Sequence, residues 1–268
     1  MKLKLTLSII TTAILVSGCL SKSPTGRSQA LLYSNDQMQQ MGAQSFETMK
    51  QQQKISGDKA KTAYVNCIAD RVTSVLPQKQ AWEVVLFESD QVNAFALPGG
   101  YIGIYTGLLN VATNQHQVAT VMGHEVAHVL AQHGNEQVSR AQLTDIGMQA
   151  ASAALGASGV ENQDLYMAGL GLGAQVGILL PFGRDQESEA DVVGLELMAQ
   201  AGFDPAQSIE LWKNMANNSG SQGPELLSTH PSHSTRIEDL QSMQAKVQPL
   251  YVAAKQQGVK DCRLTENK

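Results

Sequence analysis

The chain has 268 residues, 43% of them hydrophobic and 16% charged, with a formal net charge of −5. A chain of this length and composition can bury a core, as one large domain or two small ones. The acidic balance gives no footing for an electrostatic nucleic-acid binder, and no internal repeat or low-complexity tract is present.

The N-terminus stands apart. Lys2 and Lys4 precede the apolar run LTLSIITTAILV, residues 5–16, and Ser17-Gly18-Cys19 follow. A charged n-region, an apolar h-region and a small-residue cleavage site make residues 1–18 a signal peptide, with an uncleaved N-terminal anchor as the alternative. The run is too short for a comfortable membrane span. LVSGC resembles the lipobox of bacterial lipoproteins, which implies lipidation of Cys19 and a membrane tether over residues 19–34. Leu20 stands where an aspartate would favour inner-membrane retention. The resemblance therefore implies the periplasmic face of the outer membrane. With Cys19 acylated, Cys67 and Cys262 remain. An even remainder in an oxidising compartment permits a Cys67–Cys262 disulfide, two unpaired thiols being the alternative.

From residue 35 a single domain is expected to run to residue 268. Residues 35 to about 54 are helical in propensity, and 59–76 form a second helix ending before Pro77. Its apolar residues are Ala63, Val65, Ile68, Val72 and Val75. Strand signals are concentrated in residues 82–88 and in two runs within 92–107, folded around Pro98-Gly99-Gly100. After Thr106 the chain reads mostly as helix. Asn114 with Gln117 can cap a helix whose Val118, Val121, Met122, Val126 and Val129 give it a buried side. Residues 142–182 are small, apolar and glycine-rich, above all 167–183, and read as buried helix packing. The glycine spacing fails a dinucleotide loop. A further helix opens at Asp185 and ends near Gly202, and Asp204-Pro205 starts another.

The chemistry lies in VMGHEVAHVL, residues 121–130. On a helix, positions i and i+4 share a face, so His124 and His128 can aim at one metal ion. Zinc accepts imidazole nitrogen and at catalytic sites leaves a position open for water. Glu125 points about a hundred degrees away, toward that water and not the metal. His133 sits one position early for a third ligand of the metzincin kind and reads as a solvated helix-end residue. A better candidate for the third ligand lies in RDQESEADVVG, where Glu187 would complete a His₂Glu site, a solvated acidic helix face being the alternative. Asp191, at i+4 from Glu187, can accept the second N–H of a zinc-bound imidazole. Glu189 in the same run is expected to face solvent.

The segments NAFALPGGYIGIYTGLL, GHEVAHVLAQH, ESEAD and THPSHSTRIEDL, in this order between about residues 92 and 240, resemble zinc metallopeptidase family forty-eight, the family of HtpX, BepA, the Oma-type and the CaaX prenyl proteases. The resemblance implies an α+β, mostly helical gluzincin fold with a small antiparallel sheet at the cleft. It implies one zinc ion per chain, held by His124, His128 and Glu187, with Glu125 as catalytic base and Asp191 as the partner that orients a ligating imidazole, or as a proton donor. It further implies that His230 lies near the zinc, as a transition-state donor or as an extra, inhibitory ligand, and that Arg236 stabilises developing negative charge. Asn93 and Ala94 would contribute an edge strand that pairs with an extended substrate. The implied activity is peptide-bond hydrolysis in unfolded polypeptide, here misfolded or unassembled envelope proteins. The alternative is a chaperone-like assembly factor whose zinc is capped by His230. His233 matches no family role. Multiple membrane helices and a C-terminal tetratricopeptide array, found in some family members, are not evident in this sequence.

Overall fold

The structure, a computed structural model, describes residues 20–158, 182–217, 225–230 and 235–264. In chain order the elements are β1 (Leu20–Lys22), β2 (Ser28–Ala30), α1 (Asn35–Gln52), α2 (Lys59–Ser74), β3 (Glu83–Phe87), β4 (Ala94–Leu97), β5 (Tyr101–Tyr105), α3 (Leu108–Val111), α4 (Gln115–Leu130), α5 (His133–Ser158), α6 (Arg184–Gln200), α7 (Gln207–Asn217), α8 (Glu225–Thr229) and α9 (Arg236–Gln256). The mostly helical α+β class expected from the sequence is what forms. No helix among the described residues is long and apolar enough to cross a membrane.

The chain divides into two compact units, one of Met1–Ser34 with Gln132–Leu180, the other of Asn35–Ala131 with Pro181–Lys268. The second interval of the first unit interrupts the domain expected over 35–268.

In the larger unit β5 is the central strand, parallel to β3 and antiparallel to β4. The small sheet is thus mixed, not wholly antiparallel. The β4–β5 hairpin folds back so that β5 inserts between β3 and β4, leaving β4 at the edge. The hairpin turn depends on two glycines with positive φ, Gly99 (100°) and Gly100 (90°). Strand side chains alternate between faces. Leu86, Ala94, Ile102 and Ile104 enter the main core with α2, α4 and α6, whereas Phe87, Phe95, Tyr101 and Tyr105 cluster around Phe46 of α1.

Asp58 caps α2 by accepting the Lys61 N–H at 2.9 Å. Asn114 caps α4, its Oδ1 accepting the N–H groups of His116 and Gln117 at 3.0 Å each, while Gln117 Oε1 takes the Thr113 N–H. From Gln117 to His128 every residue of α4 is buried, so the helix is enclosed on all sides and not on one face alone. Cys67 of α2 and Cys262 are joined by a disulfide. The Cys262 N–H also donates to Gln115 Oε1 at 2.7 Å, tying the tail to the first residue of α4.

In the smaller unit, the segment expected as a free tether folds into the β1–β2 hairpin and docks on α5. The Arg27 guanidinium donates to both Glu136 oxygens at 2.8 and 2.6 Å, and Gln29 Nε2 donates to the same carboxylate. A two-pronged, partly buried pair of this kind is strong enough to order a polar arm. The Leu32 N–H donates to Ser139 Oγ, and Asn135 Nδ2 to the Tyr33 carbonyl. His133 is fully buried, not solvated. The described part of the 142–182 stretch is largely exposed, with Leu143 and Ile146 about half accessible, so the expectation of buried packing fails there. The rest of that stretch up to Pro181, and Cys19 and His233, lie outside the described residues.

Candidate metal centre

Two buried helices supply three of the metal-type donors, and they can do so because they touch backbone to backbone. A Cβ on Gly194 of α6 would lie 2.7 Å from the His124 nitrogen, and one on Gly123 of α4 would lie 2.7 Å from the Gly194 oxygen. The crossing sits beside His124, so α6 passes close enough to carry Glu187 to both imidazoles. His124 Nε2 and His128 Nε2 are 3.0 Å apart. Glu187 Oε2 is 3.4 Å from His124 Nε2, and its Oε1 is 3.4 Å from His128 Nε2. His230, just after α8, adds a fourth group: its Nδ1 lies 3.3 Å from His124 Nε2 and 3.0 Å from Glu187 Oε1. One donor atom from each of these four buried residues lies within 4.8 Å of all the others.

The donor set fits zinc. Bonds of about 2.0–2.2 Å in a tetrahedron place neighbouring donors about 3.4 Å apart, close to the spacings found. Three neutral imidazoles and one carboxylate are also the chemistry zinc prefers. His133, in the other unit, is not among the four.

Behind the donors lies a second layer. Asp191 Oδ1 is 3.0 Å from His124 Nδ1, placed to accept that N–H and fix which nitrogen faces the cluster. Arg236 is fully buried, with Nε donating to Asp191 Oδ2 at 2.6 Å and Nη2 to Glu187 Oε2 at 2.5 Å. Its guanidinium lies 4.0 Å from the centre of the Trp212 ring. Arg236 thus places Nε and Nη2 on the two α6 carboxylates, while its buried Nη1 has no hydrogen-bond partner among the described residues. Two buried anions one helical turn apart require such a cation. Both Asp191 oxygens are engaged, Oδ1 with His124 and Oδ2 with Arg236. Glu189 is buried, contrary to the solvent-facing expectation.

Burial pushes the Glu125 carboxyl above its usual range, opposed by the nearby His230 and His124 imidazoles and by the Ala96 backbone N–H. Burial opposes charge on His124, yet Glu187 and the Asp191 hydrogen bond hold it up at about 10. Burial drives His128 well below the usual histidine value. Burial works against ionised Glu187 too, but the charge of His124 and the bonds from all three histidines hold its carboxyl far below the usual range.

β4 supplies the neighbouring wall. The Tyr105 N–H donates to the Asn93 carbonyl at 3.1 Å, so by the alternation of an antiparallel ladder Ala94 and Ala96 turn their backbone groups away from β5. The Ala94 N–H is already taken by Asn93 Oδ1 at 2.9 Å. Ala96, which the sequence reading missed, brings its amide to Glu125; the signal available was its position two residues beyond Ala94. Phe182, Trp212 and the two crossing glycines also went unread.

Residues 59–244 match peptidase family M48. The chain is 34% identical over 183 residues to the mitochondrial metalloendopeptidase OMA1 of Schizosaccharomyces pombe, covering 67% of this chain and 52% of that protein. It is 30% identical over 241 residues to the beta-barrel assembly-enhancing protease of Yersinia pestis, covering 86% of this chain and 49% of that protein. The protein of the same name from Escherichia coli (strain K12) is 27% identical over 234 residues. The chain spans about half the length of these curated relatives. The matched span contains every donor and the Glu125 carboxylate, and the chain belongs to peptidase family M48.

Proposed function

We propose that the chain is a zinc metalloendopeptidase, tethered through lipid at Cys19 and facing the periplasm from the outer membrane, that cleaves misfolded or unassembled envelope proteins. The observation that carries the peptidase reading is a buried, proton-hungry carboxylate, Glu125, set between a four-donor cluster and the backbone of an edge strand. The envelope setting rests on the lipobox-like LVSGC and on the likeness to the beta-barrel assembly-enhancing proteases.

His124, His128 and Glu187 would hold the ion. When bound, zinc supplies Lewis acidity, polarising a peptide carbonyl and making water acidic enough to attack near neutral pH. Glu125 takes the proton from the attacking water and passes it to the leaving amine nitrogen. Asp191 keeps His124 in the required tautomer, and Arg236 offsets the charge of both α6 carboxylates. The outward carbonyls of Ala94 and Ala96, whose N–H groups are engaged by Asn93 Oδ1 and Glu125, would accept main-chain hydrogen bonds from an extended chain, which selects conformation more than sequence.

His230 supports a second reading. Its Nδ1 is part of the donor set and its Nε2 lies 3.4 Å from Glu125 Oε1, so one imidazole meets both the donors and the base. As an extra ligand it would have to leave the ion before a peptide is cut, and could then serve as a transition-state donor; held in place, it suits a chaperone-like assembly factor that holds strands without cutting. Substituting Glu125→Gln separates the two. Peptidase action requires casein cleavage by the wild type and its loss in the variant at equal zinc content, whereas complementation that survives the substitution favours the assembly factor.

A further inference from the structure

Phe182 lays its ring against two imidazoles at once. Its centroid is 4.1 Å from that of His128, inclined at 36°, and 5.2 Å from that of His230, inclined at 31°. In a working peptidase these two histidines have opposite duties. His128 has to stay among the donors, while His230 has to leave, since its ring occupies the donors through Nδ1 and faces Glu125 through Nε2.

The main chain of His230 is fixed, its N–H donating to the Leu226 carbonyl at 2.8 Å. That bond does not restrain the two side-chain rotations by which the ring could swing out. The polar partners of the ring belong to the site itself, so they weaken when an ion or a substrate competes for them. Phe182 contributes a contact of a different kind. It is partly exposed, whereas His230 is nearly inaccessible.

We propose that Phe182 is a positioning residue that holds His230 in the donor set and thereby sets how readily the site opens to a peptide. The inference rests on the peptidase reading, in which His230 withdraws before cleavage. A stacked aromatic pair biases such an equilibrium about two- to tenfold, enough to set a rate without preventing opening.

The test uses the full chain loaded with Co²⁺ in place of zinc, comparing wild type, Phe182→Ala and Phe182→Tyr by visible absorption. The zinc forms are then assayed on unfolded casein. Four protein donors give cobalt intense visible bands, which weaken and shift when solvent replaces one donor. Phe182→Ala should keep one metal per chain, weaken the cobalt bands and raise kcat about three- to tenfold with KM changed less than about twofold. Phe182→Tyr, which keeps the ring, should restore both readouts. In a His230→Ala background Phe182→Ala should add nothing further. An unchanged cobalt spectrum in Phe182→Ala at full occupancy overturns the proposal, and so does loss of the metal, which would make the ring a support for His128. Absence of casein cleavage by every form would sink the peptidase reading, while the spectra still decide whether Phe182 holds His230.

Discussion

Gly123 and Gly194 face each other across the α4–α6 crossing with no room for a side chain on either. The contact sits next to one zinc-type ligand and two turns from another, so it fixes the spacing of the site as well as the packing. Gly194→Ala gains helix propensity of about 1 kcal/mol, but a methyl forced against backbone costs about 1–3 kcal/mol, and the backbone cannot yield as a side chain would. The net expectation is a lower denaturation midpoint and zinc affinity reduced at least about tenfold, the range seen when support for a ligand is lost. Unchanged affinity by competition with a chromogenic chelator would refute this link between crossing and site.

Glu125→Gln is expected to lower kcat by about 10²–10⁴, the usual worth of a positioned acid–base group. The amide is nearly isosteric, so zinc content by elemental analysis and the melting temperature should stay close to wild type. Loss of metal together with activity would assign Glu125 a binding role instead.

Arg236 neutralises two buried carboxylates, and Arg236→Gln leaves them short of charge. Removing one partner from a buried ion pair costs about 3–5 kcal/mol. Reduced stability in urea should be partly restored by saturating zinc, because the ion offsets the charge on Glu187. A variant as stable as wild type without metal would contradict the role assigned here.

Metal removal and pH are linked through His124. In the stripped protein its pKa is raised from 6.5 to about 10, so the stability contributed by its proton is fully present below about pH 6.5 and is lost as pH rises through about 10. Chelator-treated protein should therefore melt at progressively lower temperature across that window, while zinc-loaded protein, whose ligating imidazoles are neutral, should not. Zinc uptake near neutral pH should release about one proton, measurable from the buffer dependence of the binding enthalpy. Parallel pH profiles with and without metal would count against this assignment.

The Cys67–Cys262 bond closes a sequence separation of 195 residues. Replacing both with serine should cost about 2–5 kcal/mol. Thermal melts of the serine variant and of reduced wild type should coincide. If the two differ, reduction is changing something other than this crosslink.

Helical spacing alone places His124 with His128 and Glu187 with Asp191 on common faces, whereas the choice of Glu187 as third ligand, and His230 near the site, came with the family resemblance. The capping of α4, the strands and the hairpin turn were legible for the same local reason. What escaped depends on distant partners. Helical glycines read as weak points, and only the crossing shows that Gly123 and Gly194 are required to be small. Arg236 was expected near the site, but the sequence does not show that Trp212 and two α6 carboxylates flank it. The docking of the 20–34 arm on α5 spans 109 positions between Arg27 and Glu136, beyond any local pattern. The parallel pairing of β3 with β5 was hidden likewise, because the β4–β5 hairpin suggests antiparallel order only.

The crosslink between an early helix and a late tail residue also has a temporal meaning. It cannot form until the ribosome has passed codon 262, by which point both ligand helices have been made. A chain interrupted earlier lacks the covalent tie and the Cys262 amide that meets the start of α4. Oxidation of this pair therefore seals only chains made past Cys262, so the covalent tie follows the order of synthesis.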